Sequence, residues 1–136
     1  LGYPSAQAER DLLLGVDRRE LLAALQPLLN TATLQQWQQR IVQIHTAVPV
    51  LDYLQRLVAK SRESRQHVGL STRGVLALKR AAQAYAFVQG RHFVTPEDVQ
   101  AVFVAVADHR LGASMRAQGV QDSPAQRLLA DVPVLV

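Results

Sequence analysis

Between Ser71 and Gly90 the chain carries a segment that starts and stops as a helix by its own local chemistry. Ser71 is placed to cap the exposed backbone N–H groups of a first turn. Val75, Leu76, Leu78, Ala82, Tyr85, Ala86 and Val88 supply the apolar side, and Gly90 provides a C-terminal stop. Shortly after, Thr95-Pro96-Glu97-Asp98 is a second helix start: a cap, a proline at the first position and acids in the first turn. That helix reads to about His109, and Phe93-Val94 is a brief extended link between the two. Gly and Pro are scarce, at 7 and 6 of 136 residues, while Leu, Ala, Gln and Arg are abundant, which favours helix throughout.

The remaining chain extends the same reading. Leu1-Gly2-Tyr3-Pro4 is an extended entry segment, because a residue before proline is pushed away from helix. The chain starts on Leu1 without a methionine, and the expectation is a piece cut from a longer protein. Ser5 caps a helix to about Leu14, and Gly15 stops it. Asp17 and Glu20 form a capping box for a short helix carrying Leu21, Leu22, Leu25 and Leu28, weakened by Pro27. Thr33-x-x-Gln36 starts the next helix, with Leu34, Trp37, Ile41 and Ile44 as one stripe. Pro49 suits a first helical position ahead of Val50, Leu54, Leu57 and Val58. Residues 62–70 read as a polar, basic loop and residues 112–123 as an aperiodic loop. Pro124 to Asp131 forms a last short helix, and the apolar tail to Val136 is free to dock. The fold class is all-α, a bundle of four core helices plus short extra ones, in one domain spanning 1–136. At most one tiny strand pair is expected, around residues 42–48 and 92–94.

Composition removes several classes of function. At 49% hydrophobic and 19% charged residues the chain is globular in character. With no cysteine it has neither a disulfide framework nor a thiolate metal site, which fits a reducing cytosol and gives a cytoplasmic expectation. No apolar run approaches membrane-spanning length, so no membrane partner is expected. The net charge of +4 raises nucleic acid as a partner. However, the basic residues are dispersed and often sit beside acids, as in Asp17-Arg18-Arg19-Glu20, and the densest run, Lys60 to Arg65, reads as a solvated helix end.

Candidate chemistry narrows to one residue. His45, His67, His92 and His109 show no i, i+3 or i+4 pairing, so no metal site is expected. There is no Gly-x-Ser-x-Gly elbow and no phosphate-cradling Gly-x-x-x-x-Gly-Lys-Ser/Thr loop. Glu9, Asp11, Glu97 and Asp98 sit in helix first turns, where they complement the helix dipole. Trp37 and Tyr53 read as core, Lys79 and Arg80 as solvent-facing, and Arg91 as a structural partner for Asp98 across the turn after Gly90. Arg73 is different. It falls in the first turn after the Ser71 cap, where a guanidinium is well placed to meet a phosphate. The bland reading is a surface salt bridge or a cap contact.

Several of these pieces together resemble one family. They are Gly2-Tyr3-Pro4, Tyr53, Gly69-Leu70-Ser71-Thr72-Arg73, Leu78, Ala81-Ala82, Ala84-Tyr85-Ala86, Gly90 through Val99, His109-Arg110-Leu111 and Leu128 through Val134. So arranged, the chain resembles the C-terminal helical lid of a MoxR-type AAA+ ATPase. The resemblance implies that Arg73 is the sensor-2 arginine, reaching the γ-phosphate of ATP held with Mg2+ mainly by a large P-loop domain. It implies that residues 1–4 are the hinge from that domain, where Tyr3 and Pro4 line the adenine pocket. It further implies chaperone-like remodelling or maturation of partner proteins, a hexameric ring, a von Willebrand factor A-domain partner, and no ATP hydrolysis by the lid alone. Family members commonly carry proline where Thr72 stands. The competing class is a stand-alone basic helical adaptor for nucleic acid or protein.

Overall fold

The computed structural model describes residues 3–15, 18–63, 69–111 and 123–134. Seven helices follow in chain order among them: α1 (Ala6–Leu14), α2 (Arg18–Ala24), α3 (Thr31–Val42), α4 (Val48–Glu63), α5 (Thr72–Val88), α6 (Pro96–Leu111) and α7 (Pro124–Asp131). The all-α class holds, and the strand pair reduces to a single parallel bridge between His45 and Phe93. Residues 1–2 of the hinge, 112–122 of the expected loop and 135–136 of the tail lie outside the described residues.

The chain divides into two compact units, Leu1–Leu34 and Gln35–Val136. The first has no core of its own: none of its described side chains is buried, and eight of its leucines (Leu12, Leu13, Leu14, Leu22, Leu25, Leu28, Leu29 and Leu34) are exposed. Ser5 caps α1 as expected, its Oγ accepting from the Ala8 N–H at 3.3 Å. The second helix is shorter than the sequence pattern implies. It ends at Ala24, leaving Leu25 and Leu28 outside it, because Pro27 bars helical backbone at Gln26. The next helix starts earlier than Thr33: Asn30 is the cap, its Oδ1 accepting from the Thr33 N–H at 2.8 Å.

The second unit is a bundle built around α6, which touches α4, α5 and α7. Val99, Phe103, Ala107 and Leu111 run down α6 four residues apart and are buried, while Val102, Val104 and Val106 pack partly against the core. A helix wrapped on several sides needs no polar stripe, which is why its sequence reads apolar all round. Against it lie Tyr53, Leu54 and Leu57 of α4, Leu78, Ala82 and Ala86 of α5, and Ala125 and Leu128 of α7. Tyr53 buries its ring and accepts at its hydroxyl from Gln100 Nε2 at 3.2 Å, tying α4 to α6. Val132 is buried and Val134 packs on the core, so the described part of the tail docks.

Several expectations for the core fail, and Tyr85 on the apolar side of α5 is exposed. Leu76 and Val88 are exposed although they lie within an apolar helix, and Trp37 stands at the surface, its ring against Phe87 at 6.1 Å between centroids. Gln83 takes an inward place instead. Its Nε2 donates to the carbonyls of Ile44 at 2.7 Å and Val42 at 3.4 Å, pinning the chain after α3 onto α5.

The α5–α6 turn is locked twice. Gly90 sits at φ +72°, a left-handed conformation that suits glycine, and the N–H groups of Gly90 and Arg91 close onto the carbonyls of Phe87 and Ala86 at 2.9 Å each. Arg91 then grips the buried Asp98 with both ends of its fork, one contact being 2.6 Å. The same carboxylate accepts from the Thr95 N–H at 2.8 Å, closing the first turn of α6. Burial pushes the Asp98 carboxyl up, but the Arg91 fork and the Thr95 donors outweigh it and hold it below the usual carboxylate range. The hydrogen bond to Asp98 in turn raises Arg91. A carboxyl lowered in the folded state contributes stability above its unfolded value, and that contribution disappears as pH falls through the folded value. The urea midpoint of Asp98→Asn is therefore expected well below that of the parent at pH 7, with the gap narrowing as pH drops beneath about 4. Equal gaps at pH 7 and at the acid end would contradict this.

Candidate functional site

The start of α5 is built from the end of α4. The helix predicted to give way to loop at residue 62 instead runs through Glu63, and Ser61, one residue into the basic run, is fully buried. Its Oγ donates to the Val58 carbonyl at 2.7 Å and accepts from the Leu70 N–H at 3.0 Å. The next residue, Arg62, donates from Nε to the Leu70 carbonyl at 3.0 Å. Both polar groups of the Leu70 backbone are thus held by consecutive residues of α4, while its side chain enters the core.

Gly69 is the residue that allows this approach. A Cβ there would stand 2.7 Å from the Arg62 Cα and 2.6 Å from its Cγ. The contact is with backbone, so relief requires the chain to move, and any side chain at 69 would push the start of α5 off α4.

From this anchored base α5 begins. Ser71 is the cap: its Oγ accepts from the Gly74 N–H at 3.2 Å, and its carbonyl accepts from Val75 at 3.0 Å. Gly74 is buried, with the Arg110 Cδ, the Leu70 Cδ2 and the Ser71 Oγ all 3.6 Å from where its Cβ would be. The end of α6 therefore packs against the first turn of α5, as two antiparallel neighbours joined by a short connection must.

Arg73 is the second residue of that turn and is exposed. Among the described residues no hydrogen bond or ion pair engages its guanidinium. Its neighbours in the basic run are committed elsewhere, Lys60 to Glu63 at 3.1 Å and Arg62 to Leu70. Among the described residues this guanidinium stands without a partner, on a helix start held by the Ser61, Arg62 and Ser71 contacts. The backbone N–H groups of a first helical turn lack helical partners and carry the positive end of the dipole, so the place favours an anion. Tyr3 and Pro4 lie in the first unit, fully exposed in the case of Tyr3.

The AAA lid domain family matches residues 58–131, more than half of the chain. The chain belongs to the AAA lid domain family. The lid is 29% identical over 124 residues to the uncharacterized protein YeaC of Bacillus subtilis, covering 89% of this chain and 39% of that protein. It is also 29% identical over 136 aligned residues to the chaperone MoxR1 of Mycobacterium tuberculosis, covering 91% of this chain and 35% of that one. The chain spans well under half the length of these relatives. A crystal structure from Cytophaga hutchinsonii has the same fold over all of this chain and 45% of its own, with a TM-score of 0.72 and 22% identity.

The sequence showed the Ser71 cap and the Arg91–Asp98 pair and did not show the bonds that Ser61 and Arg62 make to Leu70. A signal for Ser61 was present: it continues the apolar spacing of Leu54, Leu57 and Val58, and a polar residue on a buried stripe requires a partner. Ser61→Ala is expected to cost about 1–3 kcal/mol in urea unfolding, since it strands the buried Leu70 N–H. Arg73→Ala is expected to leave the midpoint where it was, and a large loss for Arg73→Ala would assign that side chain a folding role instead.

Proposed function

We propose that this lid completes an ATP site on the large domain of a MoxR-type AAA+ ATPase, with Arg73 as the sensor-2 residue that reaches the γ-phosphate. The observation that carries the reading is the unpaired, exposed guanidinium of Arg73 on a helix start anchored to α4 through Leu70. A planar, permanently charged fork suits a phosphate oxygen cluster, and its rigid base fixes where it points. ATP, when bound, supplies the phosphoryl group transferred to water; Mg2+ and most nucleotide contacts belong to the large domain. Arg73 favours the charge that builds on the transferring group. Because it projects from the lid, contact with the γ-phosphate links the nucleotide state to the lid angle.

Tyr3 and Pro4 are proposed to line the adenine pocket at the hinge, an assignment that rests on the family resemblance. The eight exposed leucines of the first unit support a lid that is covered by further protein. The broader function is chaperone-like remodelling or maturation of partner proteins. It would be carried out by a cytoplasmic ring of such subunits, hexameric by family resemblance, with a von Willebrand factor A-domain protein as one partner. Among the described residues no helix is long and apolar enough to cross a membrane.

Steady-state hydrolysis by the full-length protein tests the sensor assignment. Arg73→Ala is expected to lower turnover by about tenfold or more, and Arg73→Lys to recover only part of it, because an ammonium keeps the charge but not the fork. Turnover unchanged in Arg73→Ala would refute the role.

A further inference from the structure

The outward face of α5 has a second end. Arg73, Arg80 and Phe87 are spaced seven residues apart and so share one side of the helix. From Arg73 to Phe87 that side is about 21 Å long at 1.5 Å per residue. Around Phe87 the surface changes character. Trp37 lies against it with ring planes at 57°, and the Arg40 guanidinium sits over its ring, 5.3 Å from the centroid. Beside them Arg40, Gln43, Ile44, Phe87 and His92 line an open pocket. The Gln83 bonds to the carbonyls of Val42 and Ile44 fix the backbone beside Gln43 and Ile44, two of its lining residues.

The two segments that line this pocket carry charge of one sign. Residues 21–51 and 64–96 contain no aspartate or glutamate, yet they hold Arg40, Arg65, Arg73, Lys79, Arg80 and Arg91. Arg91 is consumed by Asp98. Among the described residues no carboxylate pairs with Arg40 or Arg80. Arg62 and Arg110, by contrast, are held on backbone carbonyls. Arginine stacked on an aromatic ring beside a tryptophan, with no internal acid, is the composition of a protein-binding hot spot and not of an idle surface.

We propose that this pocket, lined by Arg40, Ile44, Phe87 and His92 with Trp37 against the Phe87 ring, at the far end of α5 from Arg73, docks an acidic amphipathic segment of another protein. An apolar side chain of the partner enters against Phe87 and Ile44, and its carboxylates meet Arg40 and Arg80. Amphipathic helices are recognised in this way, by an anchor in a groove and charges on the rim. The proposal is independent of the nucleotide reading, but it gives α5 two tasks on one face.

Trp37 is the chain's one tryptophan and reports on its own pocket. The chain is titrated with a short synthetic helix-forming peptide bearing leucines on one face and glutamates on the other. Control titrations use the same peptide with lysine for glutamate, polyglutamate, and a short RNA. The expected result is a saturable change in Trp37 emission with the glutamate peptide alone, weakening as salt is raised. Arg40→Glu, at an exposed position, is expected to weaken that binding at least tenfold and to admit the lysine peptide; circular dichroism verifies that it folds, and Arg80→Glu serves if it does not. Absence of saturable binding, equal binding of polyglutamate or RNA, or no effect of the charge reversal overturns the proposal. So does a Trp37 emission that changes on dilution of the chain by itself, which would assign the pocket to a second copy.

Discussion

The hydrogen bond from the Leu70 N–H to Ser61 Oγ decides where α5 begins, and most of what this lid does depends on that position. A backbone amide buried at that depth must have a partner. No regular helical bond is available to it, because it lies ahead of the cap. Ser61 provides the partner while donating its own hydrogen bond to the Val58 carbonyl, so the donor and acceptor needs of two segments close on each other. Arg62 takes the Leu70 carbonyl, and Gly69 leaves the space that lets the backbones come this near. Arg73, three residues on, inherits its direction from this knot.

The other end of α5 is secured by a different device. Gly90 reverses the chain, and Arg91 and Asp98 clamp the reversal across the start of α6. Desolvating a carboxylate is costly, and here the cost is met by three donors at once: the two arms of one guanidinium and the Thr95 amide. With both ends fixed, α5 is a stiff rod between an open arginine and an aromatic pocket. Movement of one end is therefore movement of the other, the mechanical property a nucleotide-linked lid requires.

The parts of this fold that were legible in the sequence are those with local causes. Caps at Ser5 and Ser71, the stop at Gly90 and the Pro96 start all follow from chemistry within one turn. The Arg91–Asp98 pair was readable for the same reason, since seven residues and one turn separate its members. The parts that were not legible have distant causes. Gln83 is buried because the carbonyl of Ile44, thirty-nine residues away, comes to meet it. Leu76 and Val88 face outward because α5 is apolar on more sides than its neighbours cover. Trp37 looked like core, yet it is exposed, with its ring against Phe87 of α5. At the site itself, Arg73 was visible as a charge after a cap, whereas the reason for Gly69 depends on the Arg62 backbone and appears only in three dimensions.

The central claim is that Arg73 meets the terminal phosphate of ATP, and the selectivity between nucleotides measures this most directly. In the full-length protein, equilibrium binding of ADP and of a slowly hydrolysed ATP analogue is compared for the parent and Arg73→Ala. The account predicts that the substitution weakens the triphosphate and leaves ADP affinity unchanged. Equal weakening of both nucleotides, or of neither, would contradict it.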